Sequence, residues 1–391
     1  MSSLPFLPYG RQTIEDDDVA AVAAALRADF LTTGPTVEAF ENAFKAKVGA
    51  EHAIAVANGT ATLHLAMLAL GVGANEGKGG DVCIAPSVTF LATANCARYV
   101  GAEVVFADVD PDSGLMTPDT LADALKRAAG RRVKAVLPVH LRGDVCDLPA
   151  LRDLAASAGA TLVEDAPHAV GSIGTFDGAA HPVGDCAFSS FASFSFHPVK
   201  TLATGEGGML TTNDAALAAR ARSLRGHGMV RPVGAEPWVY EMPELGFNYR
   251  IPDVLCALGI SQLAKLDRFV ARRRALAALY AEKLAGLSHV KLATSPAWSD
   301  PALHLLTVLI DFEALGTTRL AVVEALKAQG VGSQVHYIPV HTQPYYQARY
   351  GPLDLPGAQA WYARCLTLPL YPTMADGDVD RVVEALAGAL A

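Results

Sequence analysis

Ala53-Ile-Ala-Val-Ala-Asn-Gly-Thr-Ala-Thr-Leu-His-Leu-Ala-Met-Leu-Ala-Leu70 holds a strand, a junction and a helix in one short stretch. Ala53 to Val56 is an apolar run of strand length, and Thr60 to Leu70 is apolar over a helical length. Asn58-Gly-Thr-Ala61 lies between them. The alternation continues outward. Val82-Cys-Ile84 reads as a strand before a helix over Thr89 to Val100, and Glu103 to Ala107, Val133 to Val139 and Thr161 to Glu164 as further strands. Pro118 to Ala129 and Leu148 to Ala158 supply the helices between these strands. Crossovers of this length build βαβ units, so the chain is expected to be α/β, with a parallel or mixed sheet under helices.

After Asp185 the texture changes. Ala187 to Phe196 (Ala-Phe-Ser-Ser-Phe-Ala-Ser-Phe-Ser-Phe) is too apolar for a surface loop and too rich in small hydroxyls for a plain strand, and it reads as the wall of a site. Apolar residues from Leu255 to Leu284 follow helical spacing, as in a helix that links two domains. Val290 to Ala391 combines a strand over Leu305 to Phe312, a helix over Arg319 to Gln329 and a proline-rich segment, and reads as a smaller domain.

A chain of 391 residues, 51% hydrophobic and 18% charged, is long enough for a large core, which excludes disorder. Its formal net charge of −9 argues against a nucleic-acid partner, because phosphate backbones need a concentrated positive footprint. The basic clusters Arg131 to Lys134 and Arg272 to Arg274 read as solvated faces. Six cysteines without a CxxC pair, among apolar neighbours, read as reduced core thiols and point to a reducing compartment. Met1 to Asp18 lacks the basic start and apolar run of a secretory signal, and no stretch has the roughly 18 to 20 apolar residues of a membrane span. A cytoplasmic protein is expected.

Three places could carry chemistry. Asn58-Gly-Thr-Ala61, between strand and helix, could seat a phosphate on free backbone N–H groups. Taken alone, an ordinary Asn cap is the commoner reading. Neither GxGxxG nor GxxxxGK[ST] occurs, which counts against dinucleotide and P-loop binding. Glu164-Asp165-Ala166-Pro167-His168 follows a β-branched run, at the sheet edge where ligands bind, although taken alone Asp165 as a helix cap and His168 as a core residue is the favoured reading. Lys200, in Ser195-Phe-His-Pro-Val-Lys200 before Thr204-Gly-Glu-Gly-Gly208, would by base rates be a surface lysine. Its apolar flanks predict partial desolvation, which lowers an amine's pKa and makes it nucleophilic toward carbonyls, so a Schiff-base lysine is chemically reasonable. His336 and His341 have no clustered His/Cys/Asp set around them, so no metal site is expected.

In order and spacing these residues resemble the DegT/DnrJ/EryC1/StrS family of sugar-nucleotide aminotransferases. The resemblance rests on Thr32-Thr-Gly-Pro35, Phe40-Glu41, Asn58-Gly-Thr60, Pro86-Ser-Val-Thr-Phe90, Glu164-Asp165, Ser195-Phe196 with Lys200, Gly205-Glu-Gly-Gly208, Arg225-Gly-His-Gly228 and Gly246-Phe-Asn-Tyr-Arg250. It implies the aspartate-aminotransferase-type fold (pyridoxal-phosphate fold type I), with a large cofactor-binding domain over residues 1–252 and a linking helix plus small α+β domain over 253–391. It also implies pyridoxal 5'-phosphate and a homodimer with shared active sites. Two departures stand out: Pro167 where relatives commonly carry alanine, and His168 in place of the common glutamine.

By the same resemblance Lys200 would hold the cofactor and shuttle the proton, and Asp165 would pair with the pyridinium nitrogen. Phe90 would stack on the ring and His168 hold its oxygen, while Gly59, Thr60, Ser195 and Asn248 of the partner subunit would take the phosphate. Thr32, Arg250, His336, Tyr337 and His341 would meet the sugar nucleotide. Ser195 to Lys200, Tyr240 to Arg250, Gln334 to Pro339 and Gln343 to Tyr346 are most similar to the family's pseudaminic-acid branch. That branch uses L-glutamate to aminate C4 of a UDP-linked 4-keto-6-deoxy-N-acetylhexosamine. The alternatives are another UDP- or GDP-linked 4-keto-6-deoxy sugar, or a non-catalytic regulator of the same fold. Members that dehydrate sugars carry histidine at the lysine position, and Lys200 disfavours that chemistry.

Overall fold

The computed structural model describes residues 5–73 and 80–391. Residues 1–4 of the N-terminal stretch read for a signal therefore lie outside the described residues. The strands are β1 (His52–Val56), β2 (Val82–Pro86), β3 (Glu103–Ala107), β4 (Val133–Val136), β5 (Thr161–Asp165), β6 (Ile173–Phe176), β7 (Ala179–Pro182), β8 (Phe191–Ser195), β9 (Gly208–Thr212), β10 (Val290–Leu292), β11 (Ser299–Asp300), β12 (Leu306–Ile310) and β13 (Cys365–Leu368).

Seven strands form the main sheet, in the order β1-β9-β8-β5-β4-β2-β3. β3, β2, β4, β5 and β8 run parallel, and β9 runs antiparallel to both β8 and β1. β9 is thus the one reversed strand in this sheet. Every residue of β2 and β9 is buried, as expected for strands covered on both faces. The register places Gly208, which opens β9, opposite both Val56 and Ser195, which close β1 and β8. Three strand ends therefore meet at one point of the carboxyl edge, where ligands of open α/β sheets bind.

The helices that connect these strands are capped by their own sequence. Asn58, Thr117, Asp147 and Asp214 each accept a backbone N–H of the first helical turn, an arrangement that stabilises a helix by about 1 kcal/mol. The helix Gly59–Ala69 is buried on nearly all sides, so it carries no polar stripe.

A second apolar core is built from the helix Leu266–Leu284, the antiparallel sheet β10-β12-β13 and the helices Arg319–Ala328 and Asp376–Leu390. Leu7 joins it, bridging to Val331.

Three expectations need correction. The apolar period from Leu255 to Leu284 is carried by two helices, Asp253–Ala264 and Leu266–Leu284, that break at Lys265. There the lysine amine reaches Asp17 at 2.6 Å and Asp18 at 2.7 Å. The cluster Arg272 to Arg274 is not a solvated face: Arg273 is buried, and its Nη1 donates to the carbonyls of Leu303, His304 and Leu370. β4 proper stops at Val136, three residues short of the strand read from the sequence, although the chain stays alongside its neighbours through a bridge between Val139 and Asp165 before the turn Leu141–Gly143. All six cysteines are buried and unpaired. Among the described residues no helix is long and apolar enough to cross a membrane.

Candidate active site

A cavity of about 900 Å³ opens above the carboxyl edge. β1 delivers Asn58, Gly59 and Thr60 to it, β2 Thr89 and Phe90, β5 Asp165 and His168, and β8 Ser195 and Lys200. His304, His336 and Tyr337, from the C-terminal part of the chain, complete its lining.

At the β1 turn, Asn58 Oδ1 accepts from Ala61 N at 2.9 Å and Asn58 O accepts from Thr62 N at 3.2 Å. The cap read from the sequence is present, and the N–H groups of Gly59 and Thr60 are left to face the cavity. Gly59 is required here because a Cβ on it would lie 2.6 Å from Ser195 Cβ. A Cβ on Gly208 would likewise lie 2.7 Å from the Asn58 carbonyl. Backbone-lined space of this kind at a helix N-terminus suits a phosphate.

Asp165 is buried. Thr93 Oγ1 donates to its Oδ2, and Thr93 is itself paired with Thr89 at 2.6 Å, whereas Oδ1 is buried with no partner. Burial is the largest influence on this carboxyl and pushes its pKa up to about 6, against the Thr93 bond and the charges of Lys200 and His140. An unpaired buried carboxylate oxygen calls for a donor, and a protonated ring nitrogen supplies one. Lys200 lies deep enough that desolvation brings its pKa down to about 8, opposed by the charge of Asp165.

His168 is fixed on both sides. Its Nδ1 lies 3.2 Å from the backbone N–H of Arg142, which can only donate, and its Nε2 lies 3.2 Å from the Tyr337 hydroxyl. The neutral ring therefore carries its proton on Nε2 and presents a donor. Burial, with the charges of Lys200 and His336, holds its pKa well below the usual imidazole range. Phe90 keeps a face free, with 58% of its surface exposed. A pyridine ring with a phosphate, a phenolic oxygen and an aldehyde would thus find a fitting group at each position.

Not every residue singled out from the sequence reaches this cavity. His336 lines it, with Nδ1 2.9 Å from Thr367 Oγ1, and Tyr337 lines it beside His168. His341 packs behind it, buried against Ser87. Thr32 is exposed and bridges to Pro252, Asn248 is exposed and bridges to Gly226, and Arg250 lies near them; none of the three lines the cavity of this chain. Sequence reading missed Thr93, whose only signal is its spacing of four residues from Thr89 on a helix. It also missed His304, an isolated histidine between two leucines.

These features define a pyridoxal-phosphate aminotransferase of fold type I. The DegT/DnrJ/EryC1/StrS aminotransferase family model matches residues 12–387, and the chain belongs to that family. It is similar to PseC of Helicobacter pylori, an aminotransferase of pseudaminic-acid biosynthesis, at 25% identity over 98% of this chain and 99% of that one, with a TM-score of 0.89. The aminotransferase TlmJ of Streptoalloteichus hindustanus shares 32% identity over 98% of both chains, with a TM-score of 0.88. Spr1654 of Streptococcus pneumoniae, described in a PMP form, shares 25% identity over 99% of both chains, also at 0.88. The chain is accordingly a pyridoxal-phosphate-dependent sugar aminotransferase.

Proposed function

We propose that the enzyme transfers the amino group of L-glutamate to C4 of UDP-2-acetamido-2,6-dideoxy-β-L-arabino-hexos-4-ulose. The products are UDP-4-amino-4,6-dideoxy-N-acetyl-β-L-altrosamine and 2-oxoglutarate, formed in the reducing cytoplasm that six free thiols suit. The chemistry rests on one observation: a desolvated lysine amine beside a buried carboxylate whose Oδ1 has no partner. The choice of sugar is supported by the likeness to PseC and by the stretches around Lys200, Arg250 and Tyr337.

Pyridoxal phosphate supplies an aldehyde that carries the amino group and a ring that stores an electron pair. Lys200 attaches the cofactor, and its amine, once freed, moves the proton on and off the substrate carbon. Asp165 holds the ring nitrogen protonated through Oδ1 in a charge-assisted bond. His168 stands where relatives commonly carry glutamine; its Nε2–H, which in this structure meets the Tyr337 hydroxyl, would pass to the ring oxygen when the cofactor is bound. Phe90 covers one ring face. The Gly59 and Thr60 N–H groups and the Ser195 hydroxyl hold the phosphate, completed in a homodimer by Asn248 of the partner subunit.

His336 and Tyr337 meet the sugar within the cavity. Thr32, which is exposed, and the half-buried Arg250, which follows an arm over residues 229–245, meet the nucleotide of the neighbouring site. His341 supports the wall from behind. The arm exposes Trp238 at 73% and Leu245 at 75%, an apolar surface that a second copy would cover.

The test is to supply purified enzyme and glutamate with UDP- and GDP-linked 4-keto-6-deoxy sugars and to follow aminated sugar by mass spectrometry. Preferred turnover of the UDP-linked L-arabino substrate is expected, and preference for the GDP sugar overturns the assignment. A colourless preparation in excess cofactor, with no adduct on Lys200 after borohydride, overturns the chemistry itself.

A further inference from the structure

The site must receive two unlike reactants in turn. An amino acid brings a carboxylate one bond from the reacting carbon, whereas a nucleotide sugar brings its diphosphate several bonds away and presents a neutral ring there. A fixed cation beside the reacting carbon would suit the first and be left buried and unpaired by the second, at a cost of several kcal/mol. The described residues lining the cavity include no arginine, and the amine of Lys200 is committed to the cofactor.

The remaining cationic candidates are histidines, and most are already engaged. His168 is bonded through both ring nitrogens, His336 Nδ1 is paired with Thr367, and His64 Nδ1 lies 3.1 Å from the Tyr249 hydroxyl. His197 is exposed. His304 differs: it lines the cavity, only 4% of its surface is exposed, and its Nδ1 is buried without a partner. Its ring centroid stands 4.6 Å from that of His168. Its backbone is held from two directions, by His304 N donating to Arg142 O at 2.8 Å and by Arg273 Nη1 donating to His304 O at 3.2 Å. A buried polar atom held this firmly awaits a ligand atom.

We infer that His304 is the receptor for the carboxylate of the amino donor, and that its imidazole takes up one proton from solvent when the donor enters and returns it when the keto acid leaves. The inference rests on glutamate, or another amino acid, being the donor. Burial is what chiefly keeps the His304 ring neutral in the free site; the charged and titratable groups facing it are His168, Arg273, His336 and, before the cofactor is attached, the amine of Lys200. Arg142, which packs against its backbone, is ion-paired to Asp144 at 2.5 Å. An incoming carboxylate reverses the local balance and makes the imidazolium favourable. When the sugar replaces it, the neutral ring remains as an ordinary hydrogen-bonding partner, with no stranded charge.

Glutarate, a dicarboxylate without an amine, isolates this step from the covalent chemistry. Titrating the holoenzyme with glutarate calorimetrically, in buffers of different ionisation enthalpy between pH 6 and 8.5, is expected to show net proton uptake. Affinity should fall as pH rises, approaching tenfold per pH unit. His304→Asn and His304→Gln should bind glutarate at least tenfold more weakly, without proton uptake. Their KM for glutamate should rise far more than their KM for the keto sugar. Binding to the wild-type enzyme that is independent of pH, absent altogether, or unchanged in both variants overturns the inference. Failure of the aminotransferase reading is recognised separately, when no amino acid alters the absorption of the cofactor-loaded enzyme.

Discussion

Replacing Asp165 by asparagine should change stability and cofactor affinity in opposite directions. Burial raises this carboxyl from 3.8 to about 6. A raised carboxyl pKa means that the folded chain holds its proton more tightly than the unfolded chain. The penalty is therefore absent below pH 3.8, grows as pH rises from 3.8 to 6, and is complete above 6. Two units at 1.36 kcal/mol each make it about 3 kcal/mol at pH 7.5 and roughly half that at pH 5. Asn keeps an acceptor for Thr93 but leaves an amide donor unpaired where Oδ1 stood, which returns about 1 kcal/mol. The cofactor-free variant should thus be more stable than wild type by about 2 kcal/mol at pH 7.5, and near parity at pH 5. With cofactor the sign reverses, because the charge-assisted bond to the ring nitrogen, about 1.5 to 3 kcal/mol, is lost and binding weakens roughly 10- to 150-fold. Urea midpoints of the cofactor-free proteins at both pH values, with a cofactor titration followed by absorption, measure each part. A cofactor-free variant less stable than wild type at pH 7.5, or a gain equally large at pH 5, refutes the reasoning.

Gly59→Ala should cost about 1 to 3 kcal/mol of stability through its 2.6 Å approach to Ser195 Cβ, and weaken cofactor binding by pushing the helix N-terminus off the phosphate. Differential scanning calorimetry and a cofactor titration check both effects. The rate at which cofactor-free enzyme attaches pyridoxal phosphate should rise with pH and level off near 8, where the Lys200 amine becomes neutral. A rate still climbing at pH 10 would show an unshifted lysine, and Lys200→Ala should attach none.

Much of the large domain was legible because its strands are short apolar runs spaced by helices of crossover length. β3 falls on Glu103–Ala107 as read, and β1, β2 and β5 differ from the readings only at their ends. The break at Lys265 was not legible, since apolar periodicity persists across it and the acids that pair with the lysine there lie some 250 residues earlier in sequence. Arg273 misled for a related reason: its partners are backbone carbonyls, which carry no residue-type signature. At the site, Lys200, Asp165 and Gly59 stood out through neighbouring glycines and strand ends, but Asn58 as a mere cap and as part of a phosphate seat look alike in sequence. In the structure the cap is present, and the same turn lines the cavity. Thr93 and His304 acquire meaning only from what faces them across the cavity, Asp165 in one case and an empty hydrogen-bonding direction in the other.

The double grip on His168 makes the setting of its ring depend on how two parts of the subunit are held together. One jaw is an amide of the turn after β4, and the other is a phenol delivered by the segment after the helix Arg319–Ala328. Arg142 also clasps the carbonyls of Ala293 and Thr294 with its guanidinium. A tilt of one part against the other of even an ångström would rotate the imidazole or break one of its bonds. Lesions in the C-terminal third, far from the cofactor, should therefore surface as altered colour and turnover before the chain loses its fold.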